Sequence, residues 1–352
     1  MILFLGLIQG MQAAESQIPT EPSYILHQDE KGKRAGFHTE ASFLYWQAIE
    51  DGLEYAAKNL PRFEASSSRP TNLSAQLISP DFDFNPGAKV VLGYHFPEMG
   101  WDLDGRWTWG FFKSTGSSSI DLEANGQGLL PLWIPQQAAT TPQPVYEKSK
   151  ANLAIHLNNF DIELACSGAL SDALFLKIHG GLKAIFITQT YNVSYETGSI
   201  YENNAMIASS AQLTNSCKGA GPRLGLGTRW QFPKGLSFLA EMSFAMALSD
   251  MKTHRTDQSI SQIDGEIETI SPEMREGFWV WRPLIEGKTG LEWNYLFGTR
   301  NFISLEAAYE IQQYWEQNMM LRYADSAIFY ASFNSRGNLL LQGLTLSATI
   351  GY

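Results

Sequence analysis

The sequence predicts an all-β fold: a transmembrane, antiparallel, up-and-down β-barrel of about ten strands, or twelve if residues 113–152 or 250–281 hide a further hairpin. Three observations lead there. Alternation of apolar and polar residues with period two, the mark of a half-buried strand, returns ten times. The connections between these runs alternate strictly between short and long, as in an up-and-down barrel and unlike the irregular crossings of a Greek key. The apolar faces carry large aromatics while the opposite faces carry Gly, Ser, Thr and charge, which puts the apolar side in lipid and the polar side in a lumen.

The chain opens on MILFLGLIQGMQAAES. Ile2 to Ile8 form an apolar stretch and Ala13 or Ala14 suits a cleavage site, so residues 1–14 read as a secretory signal, although no Lys or Arg precedes the apolar run. Residues 15–36 are polar and read as a periplasmic lead-in, and residues 37–352 as one barrel domain. After the signal no window reaches 18 consecutive apolar residues, the length expected of a membrane-spanning helix.

The first strand, GFHTEASFLYW, sets Phe37, Phe43 and Tyr45 against His38, Glu40 and Ser42. The second sets Val90, Leu92, Tyr94 and Phe96 against Lys89 and His95. The third sets Trp101, Leu103, Trp107, Trp109 and Phe111 against Asp102, Asp104 and Arg106. The fourth sets Phe160, Ile162 and Leu164 against Asp161 and Glu163, and the fifth Leu174, Leu176, Ile178, Leu182 and Phe186 against Lys177, His179 and Lys183. In the sixth, Leu224, Leu226 and Trp230 oppose Arg223 and Arg229. In the seventh, Leu236, Phe238, Met242 and Phe244 oppose Glu241. The eighth sets Ile285, Leu291, Trp293 and Tyr295 against Glu286, Lys288 and Glu292; the ninth sets Ile303, Leu305, Tyr309 and Ile311 against Glu306 and Glu310. The tenth closes the chain with Leu344, Leu346, Ala348, Ile350 and Tyr352 against Gly343, Thr345, Ser347 and Thr349.

Short turns fall at 97–100, 169–172, 233–235 and 298–300, with Gly, Pro and Asp as turn residues. Long polar connections fall at about 47–83, 113–152, 196–218, 250–281 and 317–337. With both termini on the short-turn side, the long connections lie outside the cell. The segment 51–60, DGLEYAAKNL, reads as an extension of the first strand rather than a loop helix. Tyr45, Phe96, Trp101, Trp109, Phe111, Trp230, Phe232, Phe297 and Tyr352 sit near strand ends, as interfacial aromatic girdles do.

A net charge of −11 removes electrostatic support for binding nucleic acid. The ionisable residues on the polar faces are the functional candidates: Glu40, Lys89, Asp102, Asp104, Arg106, Asp161, Glu163, Lys177, Lys183, Arg223, Arg229, Glu241, Glu286, Lys288, Glu292, Glu306 and Glu310. They form either a charged channel wall that tunes ion selectivity or internal ion pairs, such as Asp104 with Arg106 or Arg229 with Glu241, that satisfy buried charge. About eight strands leave room for little more than side chains and 16–18 make an aqueous channel, so a barrel of about ten points to a narrow or gated path. GAGPRLGLGTRW lacks the spacing of a phosphate loop and reads as strand, with Gly225 and Gly227 as small inward residues. The six histidines, His27, His38, His95, His156, His179 and His254, form no metal-binding motif. No arrangement marks an enzyme or a cofactor. Cys166 falls near the periplasmic end of the fourth strand and Cys217 at the extracellular entry to the sixth, too far apart for a disulfide.

The stretches ASFLYWQAIEDGLEYA, GYHFPEMGWDLDGRWTW, LFLKIHGGLKAIFITQTYNVSYE, GPRLGLGTRW and EGKTGLEWNYLF resemble the Legionella-type major outer membrane proteins and the MOMP-like proteins of chlamydia-like bacteria, over about 37–352. The resemblance implies a pore-forming outer-membrane barrel whose surface loops contact host cells; it supplies no catalytic residues. The chain departs from the family's disulfide cross-linking in having only two cysteines. The expected function is a channel for ions or small polar solutes, against an adhesive or structural barrel that only displays its loops and, more remotely, a soluble periplasmic β-protein. The expected partners are outer-membrane lipid and lipopolysaccharide, a host-cell surface, a second copy of the chain, and the barrel-assembly machinery, which would read Leu344, Leu346, Ala348, Ile350 and Tyr352.

Overall fold

The computed structural model describes residues 36–61, 75–96, 100–121, 127–133, 145–198, 200–201, 204–263, 266–297, 301–323, 332–334 and 336–352. The signal and lead-in readings over 1–35 lie outside these residues. Ten strands form a closed ring: β1 (Gly36–Glu50), β2 (Phe84–Phe96), β3 (Trp101–Ser119), β4 (Tyr146–Ala169), β5 (Leu174–Gly198), β6 (Asn204–Gln231), β7 (Leu236–Ile263), β8 (Glu273–Phe297), β9 (Asn301–Asn318) and β10 (Gly337–Gly351). Each pairs antiparallel with its sequence neighbour. The ring closes where β10 pairs with β1, from His38 opposite Gly351 to Glu50 opposite Leu339, leaving no free edge. The Phe37 carbonyl accepts the Tyr352 amide at 3.1 Å.

The outward residues are those the alternation assigned to lipid. Phe43, Leu92, Ile162, Leu182, Leu224, Met242, Leu291 and Leu346 all lie exposed on the wall. Aromatics rim this band. Phe37, Tyr94, Phe96 and Tyr352 cluster at the short-turn end, and Tyr45 stacks on Phe84 at 5.3 Å at the other. Trp279 (68% exposed) and Trp281 (59%), within a segment read from the sequence as loop, extend the upper girdle.

The strands are longer than their lipid-facing runs. β4 to β8 have 24, 25, 28, 28 and 25 residues, whereas a tilted strand crosses the bilayer in about 9–11. Much of 113–152, 196–218 and 250–281 is therefore strand, not loop. Polarity inverts along the long strands β3 to β8, and that hid the extensions. On β5 the outward face runs Leu174, Leu176, Ile178, Leu182, Phe186 and then Thr188, Thr190, Asn192, Ser194. The inward face runs Lys177, His179, Lys183 and then Ile185, Ile187, Tyr191, Val193, Tyr195. The same exchange occurs after Phe111 on β3, at Ala220 on β6 and at Leu248 on β7. Below the exchange the barrel is apolar outside and charged inside; above it, a β-wall stands in water, polar outside and apolar inside.

β1, β2, β9 and β10 are shorter, at 15, 13, 18 and 15 residues. Chain folds inward over this low rim. The strand Ala56–Pro61 is not an extension of β1: a turn at Asp51–Gly52 separates them, and it pairs with Gln76–Ile78 and Gln127–Pro131 in a small cap sheet. The tall wall holds the infolded backbone. Tyr191 and Tyr195 hydroxyls donate to the Leu53 and Tyr55 carbonyls, each at 2.6 Å, and Arg255 donates to the Leu321 carbonyl at 3.0 Å. Leu53, Tyr55, Trp133, Met319 and Met320 join Leu44, Trp46, Leu153, Ile155, Ile185, Ile187, Leu213, Leu284, Leu339 and Leu341 in one buried core that fills the upper interior. Cys166 and Cys217 are both free.

The inversion sets a test. Leu224→Lys, in the lipid band, should destabilise the barrel by about 2–4 kcal/mol. Thr214→Lys, on the same outward face above the exchange, should change it by no more than about 0.5 kcal/mol. Urea unfolding of both variants in lipid vesicles measures the difference; equal costs would contradict the placement of the membrane.

Candidate functional site

All seventeen charged candidates face inward, on the membrane-level half of the ring. Arg223 on β6 is the hub. Its Nε donates to Glu286 Oε2 on β8 at 2.9 Å, its Nη1 donates to Glu163 on β4, and its Nη2 lies 3.9 Å from Glu241. Glu163, 1% exposed, also lies 3.5 Å from both Arg106 and Lys177. Lys183 bridges Asp161 at 3.0 Å and Glu286 at 2.7 Å. Around this centre lie Lys89 with Glu310 at 2.6 Å, Lys288 with Glu306 at 3.1 Å, and Arg229 with Glu292 at 2.9 Å. Glu40 accepts a hydrogen bond from Ser42 at 2.9 Å.

Pairing through neighbouring positions describes only part of this network: Asp161 and Lys183, and His95 and Asp102, face each other on adjacent strands, but others do not. Asp104 meets His38 at 2.9 Å rather than Arg106, and Arg229 reaches past β7 to Glu292 rather than to Glu241. The walls curve, so inward side chains converge on the axis and long ones meet partners two or more strands away. The seventeen comprise ten carboxylates and seven Lys or Arg, an excess of three (10 − 7 = 3). Three histidines stand against carboxylates: His38 on Asp104, His95 on Asp102 at 2.6 Å, and His179 on Glu163 at 3.2 Å. Glycine makes room for two of them. A Cβ at Gly93 would collide with the His38 ring, and one at Gly225 with that of His179.

A polar cavity of about 50 Å³ remains in the network, lined by Glu40, Lys89, Arg106, Asp161, Arg223, Glu241, Glu286, Lys288 and Glu310. It has room for a few ordered waters. Above it the apolar core begins.

A second polar cluster lies within that core, above the lipid band, and the sequence reading missed it. Gln189 donates to Glu50. Asn215 donates to Gln189 Oε1 and to the Gln317 carbonyl, both at 2.7 Å, and Arg282 donates to Gln317 Oε1 at 2.7 Å. Burial pushes the Glu50 carboxyl up to about 8, against the opposing hydrogen bond from Gln189. The signal was present: Glu50 continues the inward series Leu44, Trp46, Ala48.

A family model described as the Legionella pneumophila major outer membrane protein precursor matches residues 32–350. No curated protein matches the chain in sequence. Among solved structures, the outer membrane protease OmpT from Escherichia coli is similar at 10% identity and a TM-score of 0.38, over 90% of this chain and 96% of that one. A major outer membrane protein from Thermus thermophilus is similar at 8% identity and a TM-score of 0.27, over 90% and 99%. A Pseudomonas aeruginosa FadL homologue is similar at 8% identity and a TM-score of 0.25, over 96% and 95%.

Two outcomes follow for these clusters. Lys89→Met leaves Glu310 buried without its cation and should cost about 3–5 kcal/mol, whereas Lys89→Met with Glu310→Met should lie near the parent protein; urea titrations in lipid vesicles check the order. For Glu50, folding raises the carboxyl from 4.5 to about 8. The folded barrel therefore keeps a proton that the unfolded chain loses across that window, so the stability tied to it is full in acid and falls as pH rises through the window. Glu50→Gln should remove this slope and gain on the order of 3 kcal/mol at pH 7, read as unfolding midpoints at pH 5 and pH 8.

Proposed function

We propose that this chain, which belongs to the Legionella pneumophila major outer membrane protein family and lies in the outer membrane of a Gram-negative bacterium, is a closed surface barrel that holds its extracellular segments rigidly for contact with other cell surfaces. One observation carries this reading: the extracellular half of the lumen is closed by packed side chains, mostly apolar, from Leu44 and Trp46 on β1 to Leu339 and Leu341 on β10, around a hydrogen-bonded polar cluster at Glu50, Gln189, Asn215 and Gln317. Water does not enter such packing, and ions do not cross it without displacing it. The wall above the membrane is polar outside and tied inside to the cap by buried hydroxyls, as suits a stiff pedestal.

The second reading is a narrow, gated path for ions or small polar solutes. The charged cavity around Arg106, Arg223 and Glu241 favours it, since ionisable groups around a space that can hold water are the material of a selectivity region. On this reading the upper core is the gate, and the carboxylate excess predicts a preference for cations.

Conductance separates the two. Purified protein in planar bilayers should leave the membrane silent across the physiological voltage range. Defined single-channel steps would reverse the order of the readings. Glu292→Lys or Glu306→Lys should then shift the reversal potential toward anion passage.

A further inference from the structure

Above the lipid band the outer wall divides into two sectors. On β7 and β8 basic groups are matched by acids: Lys252 by Asp250 at 3.3 Å, and Arg275 and His254 by Glu273 at 2.5 and 2.7 Å. On β3 to β6 they are largely unmatched. Lys113 holds the outward position next above Phe111, its ammonium 4.9 Å from that ring, and His156 stacks on the same ring at 4.2 Å. Lys218 holds the outward position next above Ala220. Lys150 stands higher on β4, more than half exposed, with Glu196 at the outer limit of ion pairing, 3.9 Å.

Among the described residues no carboxylate pairs with Lys113 or Lys218; Asp250, beside Lys218 in the register, is taken by Lys252. Asp81, opposite the outward Thr115 of β3, Asp83 two residues on, and Glu196, high on β5, are carboxylates that border the sector. Apart from Ala154, which faces Lys113, the outward positions between the cations are mostly hydroxyl or amide, among them Thr115, Asn152, Asn158, Thr188, Thr190 and Ser216. The apolar residues Trp109, Phe160 and Phe186 lie directly below.

We propose that the outer face of β3–β6 binds the phosphorylated sugar head group of the outer-leaflet glycolipid, lipopolysaccharide. The height fits, because the head group begins where the acyl-contacting band ends. The charge fits, because unmatched ammonium groups meet phosphates whose position the membrane fixes. The neutral hydrogen-bonding surface between the lysines fits sugar hydroxyls and amides. The acid-matched β7–β8 sector lacks free cations for the same ligand.

The test uses the full chain purified in detergent, with diphosphoryl lipid A and its dephosphorylated form as probes, read by native mass spectrometry. The diphosphoryl form should bind more tightly. The variant K113Q/K150Q/K218Q should lose on the order of fivefold per lysine, about a hundredfold in all, for that form alone. The control K252Q/R275Q should bind as the parent does. These exposed substitutions leave the core untouched, and circular dichroism confirms folding. Should the triple variant keep its preference, the control lose as much, or inorganic phosphate at equal concentration displace the lipid, the assignment is overturned.

Discussion

A ring of ten strands is too narrow to keep its interior filled with bulk water, so every inward side chain must find a protein partner. This constraint shapes the whole molecule. Where the outer face must be apolar, the inner face carries charge, and every buried cation is met by carboxylates, some on the adjacent strand, as Lys183 by Asp161, and some farther round the ring, as Arg223 by Glu163 and Glu286 and Lys89 by Glu310. Where the outer face meets water, the inner face is free to be apolar, and Leu153, Ile155, Ile187 and Leu213 pack as in any soluble core. Charging the inner face at membrane level also keeps each strand from becoming the long apolar run that would insert as a helix on the way out of the cell.

The two halves contribute differently to stability. Burying matched ion pairs gains little net energy, because desolvation offsets the attraction, but removing one partner is costly. The membrane-level network therefore fixes registry and geometry more than it adds strength. Net stabilisation comes from the upper core and from the lipid around the band. The uneven wall serves that core. The low rim at β9, β10, β1 and β2 admits the segments around Leu53 and Met320, and Tyr191, Tyr195 and Arg255 on the high wall satisfy their backbone carbonyls. Without those bonds the infolded carbonyls would be buried and unpaired.

The ring, the short turns at 169–172 and 233–235 and the inward set of charges were legible in the sequence because each strand shows clean period-two alternation at membrane level; the turns read at 97–100 and 298–300 lie largely outside the described residues. The upper wall was not, because the alternation keeps its period and changes its sign. In AIFITQTYNVSY the outward series passes from Phe186 to Thr188 while the inward series passes from Lys183 to Ile185, so the crossover reads as apolar on both faces and the polar outer residues beyond it read as loop. Ion-pair partners were illegible for another reason: they depend on which side chains converge across the lumen, as Lys89 on β2 and Glu310 on β9 do, and no linear spacing encodes that. Glu50 shows what a longer reading recovers, since following the inward series of β1 past Ala48 places it in the core, where a carboxylate needs a partner such as Gln189.

The same reversal of sign bears on how the outer wall meets its surroundings. A β-surface in plain water is commonly studded with charge of both signs, as on β7 and β8, where Asp250, Lys252, Glu273 and Arg275 neutralise one another. The β3–β6 face is instead dominated by Thr, Ser and Asn, with scattered lysines. Such a face gains little from water alone and has much to offer a layer of sugars and phosphates. The strands of β4 to β6, at 24, 25 and 28 residues, are long enough to stand well into that layer. On the proposal that this face binds lipopolysaccharide, the wall's height and its neutral, hydroxyl-rich chemistry have one cause: this side of the barrel is solvated by head groups rather than by water alone.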